Sequence, residues 1–368
     1  MRERRLTREQ TIEVLDRRAR QMGINNFALS LRQLDRWLAQ EVGDPRSVRC
    51  RVAETEFGYR IERLLSTVRH EGVILGGLLH LDVSPLEHFG AIVSHLAQID
   101  HETGATSALG PATEVCRSVL AAAGQSSGCD RDESFELAAR CAELVGWFHQ
   151  DAGSPGEARE WTARALDLAE SADAQELLPY VLMRRSAVAA ELGLADEALL
   201  LAGSAFRKAN HDGDRALASR QLAVAHALQC DGSAVVEAAE AAISAVTTAG
   251  ASEELAPYCS ISYIQSEVGA AALTLGDPRL AVEFLEPAAA GWPMGQRRDR
   301  AICLTRLALA YAGHGELDRA EAVTLRASEA AVGCGSTRFN RTLRSTIDTI
   351  RYKGGGHRVA ALADALPR

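Results

Sequence analysis

The segment SLRQLDRWLAQEVGDPRSVR (30–49) concentrates side chains suited to reading nucleic acid. Ser30-Leu31-Arg32-Gln33 is a capping box that starts a helix, and it places Arg32, Gln33 and Arg36 in the first two turns. Arg forks onto guanine and Gln onto adenine in the major groove, so residues of these types at the head of a helix suit base-edge readout. Arg46, Arg49 and Arg51 follow Asp44-Pro45, a second helix start, and with Arg4, Arg5 and Arg8 they offer cations for phosphate positioning. Trp37 shares one helical face with Leu31, Leu34 and Leu38 and is expected in the core. Catalytic chemistry has no comparable footing. His80, His88, His95 and His101 cluster, but their offsets do not hold one helix face, and no HExxH or His-x3-His spacing occurs. The eight Cys include no CxxC pair, so no metal or cofactor is expected and the thiols read as reduced and mostly buried. Gly354-Gly355-Gly356-His357 lacks the strand before it that a phosphate loop needs. The chain is not expected to be an enzyme.

The bulk properties set these residues in context. Residues 1–70 hold 15 Arg against 10 acidic residues, net +5, which leaves −14 for the remainder of a chain whose total is −9. The arginines are therefore concentrated where the nucleic-acid motif lies. Only Lys208 and Lys353 are lysines, a bias that carries no functional reading. With 47% hydrophobic residues but only 5% aromatic, the core is expected to form through small residues, which favours packed helices over large sheets. No apolar run reaches the length of a membrane span, and the expectation is a cytoplasmic protein. Thr7-Arg8-Glu9-Gln10 is a further capping box. Ile12, Leu15, Ala19 and Met22 follow at helical spacing, and Gly23 stops that helix.

Further along, the chain repeats itself. The segments 144–169, 184–209, 267–292 and 306–331 each run as an apolar helix, a Gly, a short polar turn and a second helix. Gly153, Gly193, Gly276 and Gly315 align. Ala158, Ala198, Ala281 and Ala320 follow five residues later, and Ala165, Ala205, Ala288 and Ala327 seven after that. A weaker copy at 220–246 fills the gap, with Ala238 as its counterpart Ala, giving five copies about every 40 residues. Gly accepts the left-handed turn that ends a helix, and Ala lets two helices approach closely. Ser154-Pro155-Gly156-Glu157 reads as a capping box, as does Ser84-Pro85-Leu86-Glu87, and Asp277-Pro278 as a cap. Residues 104–111 read as a loop, and 124–132 as a joint.

The repeats resemble the tetratricopeptide (TPR) pattern, with its small residue in the first helix at Gly146 and Gly269. The resemblance implies an α-solenoid in which the first helix of each pair lines a concave face. On that face it implies Arg140, Trp147, Gln150, Tyr180, Arg184, Arg220, Tyr263, Glu267 and Arg306 as the groove for a peptide or small-molecule effector. Trp161 and Trp292 fall on or after second helices, where packing is expected.

The N-terminal region is similar to XRE-type helix-turn-helix regulators. The features are Ser30, Trp37, Pro45 and the run VAETEFGYRIERLL (52–65). It departs from them in a longer turn between Gly23 and Ser30, in lacking the helix before the first, and in a Glu41 not followed by Gly. As a whole the chain resembles actinobacterial regulators that join such a headpiece to a TPR-type sensor. The implied organisation is all-α: a helix-turn-helix-like headpiece (1–70), connecting helices (71–131), TPR-like helical repeats (132–352) and a short C-terminal helix or tail (353–368). The implied function is ligand-responsive transcriptional regulation by a homodimer that binds DNA through the headpiece and an effector through the groove. The alternatives are a TPR adaptor that does not bind DNA and, further off, a metabolite-binding accessory protein or enzyme.

Overall fold

A computed structural model describes residues 7–38, 47–57, 85–124, 129–249, 258–292, 296–332 and 336–365. All regular structure among them is α-helical, in seventeen helices. The chain divides into two compact units, 1–83 and 84–368.

The first unit contains α1 (Arg8–Gln21), α2 (Leu31–Leu38) and α3 (Val48–Phe57). The Thr7 capping box forms in full, with the Gln10 amide N–H donating to Thr7 Oγ1 and the Thr7 amide to Gln10 Oε1. Ser30 and Gln33 make the same reciprocal pair at the head of α2. Gly23 takes φ +73° and its N–H caps α1. Leu15, Ala19, Leu29, Leu34, Trp37, Cys50, Val52 and Ala53 close the core, so Trp37 is interior as its spacing predicts. The predicted helix start at Asp44-Pro45 and most of the 52–65 run lie outside the described residues, as do Arg4, Arg5 and Arg46.

The second unit is a TPR-like solenoid of antiparallel helix pairs. The pairs are α4 (Pro85–Thr103) with α5 (Ala105–Ala123), α6 (Cys129–Asp151) with α7 (Pro155–Ser171), α8 (Leu178–Glu191) with α9 (Ala195–Lys208), and α10 (Asp212–Leu228) with α11 (Gly232–Ala249). They continue with α12 (Ile261–Leu275) and α13 (Pro278–Gly291), α14 (Arg297–His314) and α15 (Leu317–Ala331), and α16 (Thr337–Tyr352) and α17 (Gly356–Ala365). Gly153, Gly193, Gly276 and Gly315 all sit at φ between +74° and +93°, and the eight aligned alanines are fully buried. The approach is tight enough to require the small residues. A Cβ on Gly146 would lie 2.9 Å from Thr162 Cγ2, and one on Gly269 would lie 2.8 Å from Leu285 Cδ2 and nearer still to Cγ.

Four details differ from the sequence expectation. In the weaker copy the left-handed residue is Cys230, at φ +59°, and it repeats the helix-ending hydrogen bonds of the glycines: its N–H reaches Ala227 O, and the next N–H reaches His226 O. The residue five positions on is Val235, fully buried, so Val235 rather than Ala238 occupies the Ala position, and Ala242 follows in register. Ser154 (φ −113°, ψ +68°) makes no side-chain cap, whereas Asp277, with a similar backbone, accepts from the Leu280 N–H. The supposed loop 104–111 is a one-residue break at Gly104, φ +89°, followed at once by α5 with Pro111 inside it. Burial of Ala105, Ala108 and Ala112 on one face outweighs the hydrogen bond that Pro111 removes. Finally, Cys129–Asp132 are the first turn of α6 rather than a joint.

Candidate functional site

First helices α6, α8, α10, α12, α14 and α16 pack on one another from pair to pair, forming the layer that the TPR resemblance makes the inner face, and the sequence periodicity brings polar side chains to equivalent places on them. Arg184, Gln221, Glu267 and Arg306 each stand nine residues before the left-handed turn residue of their own pair, at 193, 230, 276 and 315. That register sets Arg306 against Glu267 of the preceding pair.

The network begins at Arg184. Its Nε donates to Glu143 Oε1 at 2.7 Å and its Nη2 to Gln150 Oε1 at 2.8 Å, and its guanidinium lies 4.7 Å from the centre of the Trp147 ring. Arg338 of α16 covers the same ring at 4.5 Å, so one indole is held between two cations. Arg338 Nε donates to Asp151 Oδ1 at 2.8 Å, and the indole N–H donates to Asp100 Oδ2 at 3.1 Å. Arg298 completes this end: its Nη1 donates to both the backbone and the carboxylate oxygens of Asp100 and lies 3.9 Å from Asp151. Arg341 reaches Glu191 at 2.9 Å, and Glu191 also accepts from Gln150. The last repeats therefore close onto the first across the inner face.

The other end of the network is aromatic. Arg220 donates to Gln221 Oε1 at 2.6 Å and to the Tyr263 hydroxyl at 3.1 Å, with its guanidinium 5.5 Å from the Tyr263 ring. Tyr258 packs edge-on to Tyr263 at 5.0 Å, and its hydroxyl lies 3.2 Å from that of Tyr180. Arg306 bridges Glu267 at 2.7 Å and donates to Ser266.

Burial and charge set the protonation states. Burial alone would lift the Glu267 carboxyl, but Arg306, Arg220 and Arg338 overcome it and hold the group down at about 2. Burial opposes the charge on Arg184, and Glu143 with Tyr180 and Tyr258 reverses that, so the guanidinium is held above its ordinary value. On the other partner, burial pushes the Glu143 carboxyl up against the pull of Arg184. Burial first, and then the neighbouring Glu143 charge, raises the Tyr180 hydroxyl, which stays protonated.

Of the nine residues expected at the groove, Trp147, Gln150 and Arg184 share one cluster, Tyr180, Arg220 and Tyr263 a second, and Glu267 and Arg306 a third. Arg140 joins none of them. Its side chain is 41% exposed and pairs with Glu136, one turn away on the same helix. Sequence reasoning missed Asp100, Glu143, Asp151, Gln221, Arg298 and Arg338. Gln221 was recoverable, because the nine-residue offset selects it once Cys230 is recognised as the turn. The others were not, because closure of the array carries no local signal. Among the described residues no group of three or more His, Cys, Asp and Glu could hold a metal ion.

In the headpiece, Arg32, Arg36 and Arg51 are exposed. Gln33 is committed to the Ser30 capping box, Arg49 donates to Ala28 O at 2.6 Å, and Arg8 pairs with Asp35 at 2.9 Å. Gln33 Oε1 is therefore engaged in the helix cap. Its amide satisfies the Ser30 N–H, which lies at a helix start and has no partner within the helix.

No helix among the described residues is long and apolar enough to cross a membrane. No protein-family model and no curated protein matches the chain. Among solved structures it is similar to a Rap protein complexed with competence and sporulation factor, with 12% identity and a TM-score of 0.47 over 76% of this chain and 90% of that one. It is similar also to NprR in complex with its cognate peptide NprX, with 12% identity and a TM-score of 0.49 over 90% and 86% of the two chains.

Proposed function

We propose that the chain is a ligand-responsive transcriptional regulator: the inner face of the helical repeats takes a peptide or small-molecule effector, and the headpiece binds DNA as part of a homodimer. The observation that carries the reading is the convergence of five buried or half-buried arginines with Trp147 and three tyrosines on one inner face. Buried ion pairs contribute little to stability over an apolar core of the same shape, so such a concentration points to recognition. Arg supplies both a bidentate fork and a stacking plane, which suits a peptide or a planar acid. Effector binding would shift the spacing of two headpieces against successive major grooves.

On the headpiece the candidates for DNA are Arg32, Gln33, Arg36, Arg49 and Arg51, of which Gln33 Oε1 and Arg49 Nε already make internal hydrogen bonds. That internal use favours the second reading, an adaptor whose headpiece is only a packing unit. Selection from a random double-stranded DNA library separates the two. The intact chain is expected to enrich a two-fold symmetric site that an Arg32→Ala, Arg51→Ala variant does not. No enrichment by the intact chain leaves the adaptor. For the groove, a phage-displayed library of short peptides is expected to yield binders to the intact chain and none to a folded Arg184→Glu variant. Equal capture by both rejects the inner face.

A further inference from the structure

Four of the five inner-face arginines have a carboxylate of their own: Arg184 has Glu143, Arg298 has Asp100, Arg306 has Glu267 and Arg338 has Asp151. Arg220 has none within ion-pair distance among the described residues, although it is only 3% exposed. Its hydrogen bonds go to three uncharged groups: the Gln221 amide oxygen, the Tyr263 hydroxyl and, at 3.3 Å, the Met183 sulfur. Glu267 acts on it only at longer range and is bonded to Arg306.

Two donors at this place are left over. Arg220 Nε and Gln221 Nε2 are both buried and have no hydrogen-bond partner. They belong to adjacent residues already tied together through Gln221 Oε1. The Tyr263 hydroxyl, which accepts from Arg220, keeps its own proton for a further acceptor. A buried guanidinium without a counter-ion is costly, and so is each orphaned donor beside it. One anionic acceptor relieves all three.

Resting on the groove reading above, we propose that Arg220, Gln221 and Tyr263 form a carboxylate-binding site on the inner face, the anchor for the effector's acidic group. Arg220 provides the charge, the Gln221 amide and the Tyr263 hydroxyl provide neutral donors, and Tyr258 and Tyr180 wall the aromatic side. A planar, monoanionic carboxylate matches this set, since it accepts several N–H and O–H bonds and cancels one charge. Because the donors are shut off from solvent, entry requires local opening of the inner face. The carboxylate is either the terminus or an acidic side chain of a peptide, or that of a small organic acid.

The test needs no knowledge of the natural effector. Thermal unfolding of the full chain is followed with sodium formate and with sodium chloride at equal ionic strength. Formate is expected to raise the Tm beyond chloride in a saturable way. Arg220→Met is expected to abolish the difference while raising the Tm in chloride, because it removes an unpaired buried charge. Gln221→Met retains the charge and is expected to weaken the apparent formate affinity by about tenfold, the weight of one charge-assisted hydrogen bond. It also covers the case in which Arg220→Met fails to fold. Equal formate and chloride responses in the intact chain, a formate response that persists in Arg220→Met, or an apparent formate affinity unchanged in Gln221→Met, overturns the site.

Two further probes separate the sources. A tetrapeptide with a free C-terminus that outperforms its amidated form identifies a peptide terminus, whereas succinate outperforming both identifies a small acid. A chain that captures library peptides while ignoring formate loses this site but keeps the groove. A chain that captures none and ignores every carboxylate loses both.

Discussion

Replacing Arg338 with Met removes one partner of a buried ion pair while leaving the apolar stem of the side chain. Asp151, 1% exposed at its side chain, loses its 2.8 Å bond and keeps only Arg298 at 3.9 Å, a cation already engaged by Asp100. Stranding one member of a buried pair costs about 3–5 kcal/mol, and the residual Arg298 attraction argues for the lower end. Loss of one of the two guanidiniums on the Trp147 ring adds about 0.5–1 kcal/mol. The expected total is about 3–4 kcal/mol, or roughly 6–16 °C in Tm at about 2–4 °C per kcal/mol. Urea and thermal unfolding followed by circular dichroism measure it. The double variant Arg338→Met, Asp151→Asn is expected to recover about half the loss, since the amide no longer needs a counter-ion. A loss below about 1 kcal/mol, with no coupling in the double variant, would refute the closed arrangement of the inner face.

Other perturbations probe separate parts of the structure. Gly269→Ala drives a methyl into Leu285 and is expected to cost about 1–3 kcal/mol by chemical unfolding, whereas Gly156→Ala, where a Cβ meets nothing within 4 Å, should be near neutral. Cys230→Gly relieves a non-glycine left-handed residue and is expected to be neutral to stabilising by up to about 1 kcal/mol in the same assay. The Glu267 carboxyl, held at about 2 when folded, lies below its unfolded value near 4.3, so its contribution is complete above that value and disappears as pH falls through about 2. Acid titration of stability should therefore show a loss between about pH 4 and 2 that is smaller in Glu267→Gln, a variant already weakened at pH 7 by the stranded Arg306. In the headpiece, Trp37→Ala is expected to cost about 3–5 kcal/mol and unfold that unit, an effect visible as lost helical signal in circular dichroism.

Helix ends and close helix pairs were legible in the sequence because both are local. A glycine that must be left-handed, or an alanine facing a neighbouring backbone, is marked by its own residue type. Where another residue did the same work, the register slipped. Cys230 holds the turn without a glycine, and this disguised Val235 as the Ala-position residue and hid Gln221 among the inner-face positions. Arg184 and Trp147 were found from the repeat, but their partners Glu143 and Arg338 were not. The partner of a buried charge is chosen by how the superhelix closes, which no single repeat encodes. Gln33 has the right type for a base contact, but its place as third residue of a capping box uses the same amide.

The contacts between the ends of the array also bear on how the second unit folds. A plain repeat array couples each unit only to its neighbours, so it can unravel from either end in steps. Here Arg298 and Asp100 are 198 residues apart in sequence, and Arg338 and Asp151 are 187 apart. Links of that span can form only after most of the chain is ordered, which raises the entropy to be overcome before they contribute. Once formed, they tie the first and last repeats into one cooperative block. Fraying at α16 is then no longer a local event, because it releases the charges on α6 as well.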